Sequence, residues 1–259
     1  GYRVSVFEEE EARLTTGLHS IRHRLRRDVE RKRLSKEHHD RTLNRINTTT
    51  DLQDLSGADL VIEAIIEDLP IKRKLFEQLG KICEPKTILA SNTSSLSLSE
   101  MAAASGRQEK VIGIHFFNPP HVIPLVEIVS SEVTDQETLD MAMGFCDSID
   151  RETVRVKDSP GFIVNRLLVP FIFDAIRMLE SNIATAEDLD QACKVGLNHA
   201  MGPLATADLI GLDVLTQISE SMFEEYGEAR FKAPTLLRRL VSLGQLGRKT
   251  GSGFFDNYN

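Results

Sequence analysis

At 259 residues the chain is long enough for one large domain or two ordinary ones with a core of normal size. Apolar residues make up 41% and charged residues 27%, the balance of a folded globular protein, which speaks against disorder. A formal charge of −8 speaks against a general nucleic-acid binder, whose footprint is basic. Three widely spaced cysteines, Cys83, Cys146 and Cys193, fit reduced thiols in a reducing compartment such as the cytoplasm better than a disulfide framework or a zinc site.

Arg3-Val4-Ser5-Val6-Phe7 reads as a strand, and Glu8 to Glu11 then open a charged helix predicted to run to about Arg33. Further strands are predicted over 59–64, 87–90, 111–116 and 125–129, with helices over 70–82, 99–104 and 135–149 between most of them. Short apolar strands alternating with helices predict a parallel sheet covered on both faces. The strand at 125 follows its predecessor after a short loop, so the alternation is expected to break there.

The pattern changes at Asp158-Ser159-Pro160-Gly161. Beyond it only helical stretches are predicted, near 161–180, 185–195, 203–226 and 234–243. Pro160 suits a helix N-terminus. The helix after it is apolar on most sides, as in a core or a subunit interface, but Asn165, Arg166, Asp174 and Arg177 argue against a membrane span. The expected division is 1–157 and 158–259.

Glu8 ends the first strand, where an acid in a dinucleotide-binding fold accepts hydrogen bonds from ribose hydroxyls. Acids also favour a helix N-terminus, so Glu8 alone decides nothing. Its acidic neighbours would repel a 2′-phosphate, which favours NAD over NADP. Ala64, Glu67 and Lys72 follow the strand at 59, at its ligand-binding carboxyl end. Ser91-Asn92-Thr93-Ser94-Ser95-Leu96 crowds hydroxyl and amide groups after another strand. Ser97 or Ser99 serves as the helix cap there, and capping accounts poorly for Ser94 and Ser95. His115 lies at a strand end, and Glu127 on the next strand is placed to meet it and fix its tautomer. Asn165 adds a polar group inside an apolar helix, where a core amide bonded to backbone is the plainer alternative.

Six stretches then align in order and spacing with one family. They are Ala58-Asp59-Leu60-Val61-Ile62-Glu63-Ala64, Ser91-Asn92-Thr93-Ser94-Ser95-Leu96, His115-Phe116-Phe117-Asn118-Pro119 and Asp158-Ser159-Pro160-Gly161-Phe162-Ile163-Val164-Asn165-Arg166. Met201-Gly202-Pro203 and Gly247-Arg248-Lys249-Thr250-Gly251-Ser252-Gly253-Phe254-Phe255 complete the set. The chain resembles the 3-hydroxyacyl-CoA dehydrogenases over its whole length. The resemblance implies an NAD-dependent oxidoreductase of fatty-acid oxidation, with a doubly wound, Rossmann-type α/β sheet followed by an all-helical C-terminal domain that forms a homodimer. It implies catalytic roles for Ser94, His115, Glu127 and Asn165, and NAD contacts at Glu8, Ala64, Glu67, Lys72, Ser94, Asn118 and Lys249. It implies no metal. Compact bacterial relatives with the Pro119-Pro120 turn suggest a short acyl chain such as 3-hydroxybutyryl-CoA.

The departure is at the front. Gly1-Tyr2 aligns past the family's glycine loop, so ~25 residues of the βαβ unit, its first strand and helix, are expected to be absent. The strand at 3–7 is then expected to stand apart from the one at 59–64, and the first ~60 residues to be poorly folded by themselves and to bind NAD weakly.

Residues 19–33 are basic in an acidic chain, and Arg24, Arg27 and Arg31 share a helical face. A solvated, ion-paired helix is one reading. The resemblance implies the other, in which the face meets the phosphates of an acyl-CoA. His19 and His23 share a face without a third metal ligand and read as surface residues. Rival readings are a gulonate-dehydrogenase or crystallin-like relative sharing Asn118-Pro119-Pro120, a hydrolase using Ser94, His115 and Glu127, and a non-catalytic structural dimer. The hydrolase lacks the strand–turn–helix serine context.

Overall fold

The computed structural model describes residues 1–256. In chain order the first half contains β1 (Val4–Phe7), α1 (Glu11–Glu30), α2 (Lys36–Leu43), β2 (Ile46–Thr49), β3 (Leu60–Glu63), α3 (Leu69–Ile82), β4 (Ile88–Ser91), α4 (Leu98–Ser105), β5 (Val111–Phe116), β6 (Leu125–Ser130), α5 (Gln136–Ser148) and β7 (Glu152–Lys157). Helices α6 (Val164–Glu180), α7 (Ala186–Gly196), α8 (Pro203–Ile210), α9 (Leu212–Tyr226) and α10 (Thr235–Ser242) follow.

Strands β3 to β7 form one sheet in sequence order. All neighbours are parallel except β5 and β6, which run antiparallel. The connection between them is shorter than the dozen residues a parallel crossover needs, so the alternation breaks where expected. Side chains alternate across the sheet. Leu89, Val111 and Val129 pack with Phe76, Leu79, Leu98 and Met101 of α3 and α4. Ile88, Ala90, Ile112, Ile114, Val126 and Ile128 pack on the other side with Ala142 and Cys146 of α5. This is the doubly wound layer. The helical half has its own core, including Ile172, Phe173, Leu204, Leu215, Met222 and Leu237.

Strands β1 and β2 pair with each other in a separate parallel sheet. A cleft of about 2360 Å³ lies between β1 and β3, lined by residues 2–7 on one side and 57–66 on the other. The expected separation of these strands is present. The Tyr2 ring contacts Phe145 of α5, and its hydroxyl lies 2.7 Å from Ser148 Oγ, so this end of the cleft is bridged. The elements before residue 50 are formed but pack thinly. Leu14 is buried in α1, and α2 buries no residue.

The structure differs from the sequence pattern at six places, the first being helix α2 over Lys36–Leu43, which was not predicted because its polar run KEHHDRTL buries no residue. Strand β2, with sequence INTT, was not predicted; pairing with β1 supplies what its weak apolar pattern does not. Strand β7 was also not predicted, because Glu152, Arg155 and Lys157 mask the alternation of Val154 and Val156 on a sheet edge. Helix α1 stops at Glu30, short of Arg33, and Lys32 turns the chain at φ +57°. The stretch 203–226 is two helices, broken at Gly211 with φ +101°. Helix α6 starts at Val164 instead of after Pro160, because Gly161 (φ +78°) and Phe162 (φ +47°) form a left-handed turn first.

Candidate active site

The antiparallel register of β5 and β6 sets His115 directly opposite Glu127. Residues so paired share a face and stand close enough to interact. His115 Nδ1 is 2.7 Å from Glu127 Oε2, and both side chains are buried. The other oxygen, Oε1, accepts the backbone N–H groups of Ile163 at 3.0 Å and Val164 at 2.9 Å. Helix α6 has no capping side chain of its own, so a carboxylate from the sheet satisfies its first donors and meets the positive end of its dipole. That contact joins the α/β layer to the helical half. Asn165, the second residue of α6 and itself buried, follows directly on the Val164 N–H that Glu127 holds.

The second ring nitrogen, His115 Nε2, lies 3.2 Å from Ser94 Oγ. A carboxylate opposite Nδ1 places the hydrogen there and leaves the lone pair on Nε2, which is the arrangement of a general base. The rings of Phe117 and Phe162 enclose the imidazole, at 4.7 and 5.5 Å between centroids. The order Ser94–His115–Glu127 also matches a hydrolytic triad, and the turn around Ser94 argues against that use. Ser94 N–H donates to Glu67 Oε1 (2.9 Å), while Ser95 and Leu96 N–H donate to Thr93 Oγ1 (3.4 and 3.0 Å). The backbone donors that would form an oxyanion hole are already taken.

On the cofactor side, Glu8 stands half-buried at the end of β1 and borders the large cleft with Glu63, Ala64 and Ile65. Ala64 and Ile65 also border a pocket of about 220 Å³ whose wall includes Glu67, Lys72, Asn92, Ser94 and Gln217. Glu8 on the larger cavity and Ser94 on the smaller are thus separated by linings that share Ala64 and Ile65, at the carboxyl end of β3. A carboxylate for a ribose diol at one end and hydroxyl and amide groups at the other fit an extended dinucleotide.

Not every expected contact is equally placed. Lys72 is 1% exposed, with Nζ 2.6 Å from Glu63 Oε1 and 3.3 Å from Glu67 Oε2, so its charge is matched inside the wall. Asn118 is exposed beyond β5, outside the lining of both cavities. Lys249 is bonded to Asp213 at 2.5 and 2.6 Å, beside the start of α9, whose Val214, Gln217 and Ile218 line the smaller pocket. Burial works to raise the Asp213 carboxyl, yet the hydrogen bond and charge of Lys249 together with backbone N–H donors, Val214 foremost, outweigh it and hold the group below its usual range. Arg24 and Arg27 are exposed on α1, and Arg31 lies just past its last residue. The Arg24 guanidinium bonds His121 Nε2 in the loop after Pro119-Pro120. The basic helix therefore touches the segment that leaves the His115 strand.

Residues the sequence did not single out also shape the site. Asp158 accepts from Leu98 N–H, Ser99 N–H and Ser99 Oγ, tying the linker before α6 to the start of α4. Glu63 holds Lys72. His121 meets Arg24. Glu63 alone had a usable signal, an acid ending an apolar strand; the partners of the others are distant in sequence.

A histidine paired with a buried carboxylate at the sheet's carboxyl edge, beside cavities that fit a dinucleotide, is an arrangement that suits the class of NAD-dependent dehydrogenases. Comparison with known proteins then supplies the family. Residues 1–159 match the 3-hydroxyacyl-CoA dehydrogenase NAD binding domain and residues 161–257 match the 3-hydroxyacyl-CoA dehydrogenase C-terminal domain, so the chain belongs to the 3-hydroxyacyl-CoA dehydrogenase family. It is 45% identical over 257 residues to a 3-hydroxybutyryl-CoA dehydrogenase of Mycobacterium tuberculosis, covering 98% of this chain and 90% of that one. A 3-hydroxybutyryl-CoA dehydrogenase of Clostridioides difficile is 46% identical over 217 residues, covering 84% of this chain and 77% of that one. The crystal structure of M. tuberculosis FadB2 matches with a TM-score of 0.97 at 44% identity, covering 99% and 90% of the two chains.

Proposed function

We propose that the protein interconverts short-chain (S)-3-hydroxyacyl-CoA, such as 3-hydroxybutyryl-CoA, and the 3-ketoacyl-CoA. The observation that carries this reading is the line Ser94 Oγ–His115 Nε2 and His115 Nδ1–Glu127 Oε2, at 3.2 and 2.7 Å, with Ser94 on the wall of the smaller cavity. Bound NAD would supply the hydride acceptor for the substrate's C3 carbon, and Glu8 and Ser94 border the cavities that would hold it. In oxidation His115 Nε2 takes the proton of the 3-hydroxyl, and Glu127 stabilises the imidazolium that results. Ser94 and Asn165 hydrogen-bond the substrate oxygen or the thioester. In reduction His115 returns the proton. Glu8 receives the adenosine ribose, and its acidic neighbours Glu9, Glu10 and Glu11 disfavour a 2′-phosphate. The cofactor unit is taken as residues 1–157 and the helical unit as 158–259. Steady-state turnover with C4 to C16 acyl-CoAs and both cofactors tests the reading. The highest kcat/KM is expected for C4 with NAD, and a preference for C16 or for NADP would overturn it.

Arg24, Arg27 and Arg31 are assigned to the phosphates of CoA. Replacing all three with Ala is expected to raise KM for acyl-CoA by roughly tenfold at low salt and less at high salt, since exposed contacts are screened. KM for an N-acetylcysteamine thioester, which lacks the nucleotide, should stay unchanged. An equal rise for both substrates would remove the assignment.

The helical unit is proposed to pair with a second copy. Leu167 of α6 and Val195 and Leu197 at the end of α7 are exposed, and the Phe171 and His199 rings meet at 5.4 Å, which sets these segments side by side. Sedimentation should give twice the chain mass, and Leu167→Glu with Leu197→Glu should halve it; a wild-type monomer would end the proposal. Among the described residues no helix is long and apolar enough to cross a membrane. Cys83, Cys146 and Cys193 are free, and burial pushes the Cys146 thiol up to about 11, where it is unreactive. A reducing compartment, the cytoplasm, is the proposed location, to be checked by cell fractionation.

A further inference from the structure

The chemistry above leaves unused one of the most enclosed charged groups in the molecule. Glu63 ends β3 with its side chain fully buried. Its Oε1 accepts from Lys72 Nζ at 2.6 Å and from Ile65 N–H at 2.7 Å, and its Oε2 accepts from Ser91 Oγ at 2.6 Å. Both oxygens are thus engaged by the protein itself, and the group acts through its neighbours.

Two arms run from Glu63 to the turn that carries Ser94. In the first, the Lys72 ammonium bridges Glu63 to Glu67 Oε2 at 3.3 Å. The other oxygen of Glu67 accepts from Thr93 Oγ1 at 2.5 Å and from Ser94 N–H at 2.9 Å. In the second, Ser91 Oγ donates to Glu63 and accepts from Thr93 N–H at 3.1 Å. The backbone adds a third tie, from Asn92 N–H to the Glu63 carbonyl at 2.8 Å. Beyond the turn, Asn92 Oδ1 accepts from Phe116 N–H at 2.9 Å, next to His115.

We propose that Glu63 is a positioning residue which, through Lys72–Glu67 and through Ser91, holds the 91–95 turn so that Ser94 stands at His115. The proposal rests on reading Ser94 as the hydroxyl that meets the substrate. Buried charges of this kind are poor stabilisers, because desolvation offsets their attraction, and their use here is geometric. The anchors at the end of β3 and in the first turn of α3 are rigid, and a turn bonded to both cannot drift. Lys72 then works from inside the pocket wall, between two carboxylates.

The test is a double-mutant cycle on the intact protein, read in kcat and KM. Glu63→Gln keeps the shape but places an amide N–H₂ against Ser91 or Lys72, both of which are donors. It is expected to lower kcat about tenfold, the scale of a small misplacement of a catalytic group. KM for acyl-CoA and for NAD should change by less than about threefold. In a Ser94→Ala background the same substitution should cost less than about twofold more, because the group being positioned is gone. Ser91→Ala cuts only the second arm and leaves the Glu63–Lys72 ion pair in place. Its smaller loss should likewise vanish beside Ser94→Ala, which keeps the test usable if Glu63→Gln folds poorly. Wild-type kcat in both Glu63→Gln and Ser91→Ala overturns the proposal, as does a loss that multiplies undiminished with Ser94→Ala. Full turnover in Ser94→Ala alone shows instead that the role given to Ser94 is wrong, and the positioning claim falls with it.

Discussion

Glu127→Gln is expected to reduce turnover by about 10³ or more, a larger effect than loss of charge alone suggests. The reason lies in the two backbone donors at the start of α6. Glu127 Oε1 accepts from Ile163 and Val164, so a glutamine must turn its amide oxygen toward them and its N–H₂ toward His115 Nδ1. The imidazole then has to accept at Nδ1 and carry its hydrogen on Nε2, where it points at Ser94 and has no lone pair for a proton. In a Ser-His-Asp triad the corresponding amide costs about 10⁴ in kcat through the same wrong tautomer. NAD affinity should stay the same, because Glu127 lies outside the lining of both cavities. Turnover within tenfold of wild type, or nitrogen NMR that keeps the ring hydrogen on Nδ1, would refute the argument.

His115→Gln and His115→Ala are both expected to lower turnover by more than ~10², the lower range of what a positioned general base supplies. They should differ in stability. Glutamine can still offer an N–H to the buried Glu127 Oε2, whereas alanine leaves that oxygen without its donor. An unpartnered buried acceptor costs on the order of 2 kcal/mol, which lowers Tm by roughly 5 °C in a protein of this size. The signature sought is therefore equal loss of kcat, unchanged NAD binding and a Tm loss confined to alanine. Near-wild-type turnover in either variant, with chemistry rate-limiting, removes His115 as the base.

The loss of turnover at His115 was legible in the sequence, and so was a loss at Glu127, but as the smaller of the two; the size argued here rests on the helix contacts of Glu127 Oε1. His115 ending one strand and Glu127 on the next is a local pattern, and once the two strands are antiparallel neighbours the pairing follows from the short connection between them. The Ser94 turn was visible as a density of hydroxyl groups without a capping explanation. Periodicity likewise carried the doubly wound layer and the helical half, because each element there buries one apolar face against its own layer. Strands β2 and β7 were hidden, since a polar four-residue segment and a charged edge strand become strands only by pairing with a neighbour.

What the sequence determined by itself is the set of chemical groups and the elements that carry them. Residues such as His115, Glu127, Ser94 and Asn165 stand at strand or helix ends, where side chains meet a shared edge. Tertiary structure alone decided how those groups are held. Glu127 caps a helix that begins 37 residues later, Lys72 is enclosed by Glu63 and Glu67, Lys249 is paired with Asp213, and Arg24 reaches His121. The physical reason is that strand and helix patterns report only which face of an element is buried. Which polar group satisfies a buried donor or charge depends on what packs against it, and burial makes such a partner obligatory without naming it.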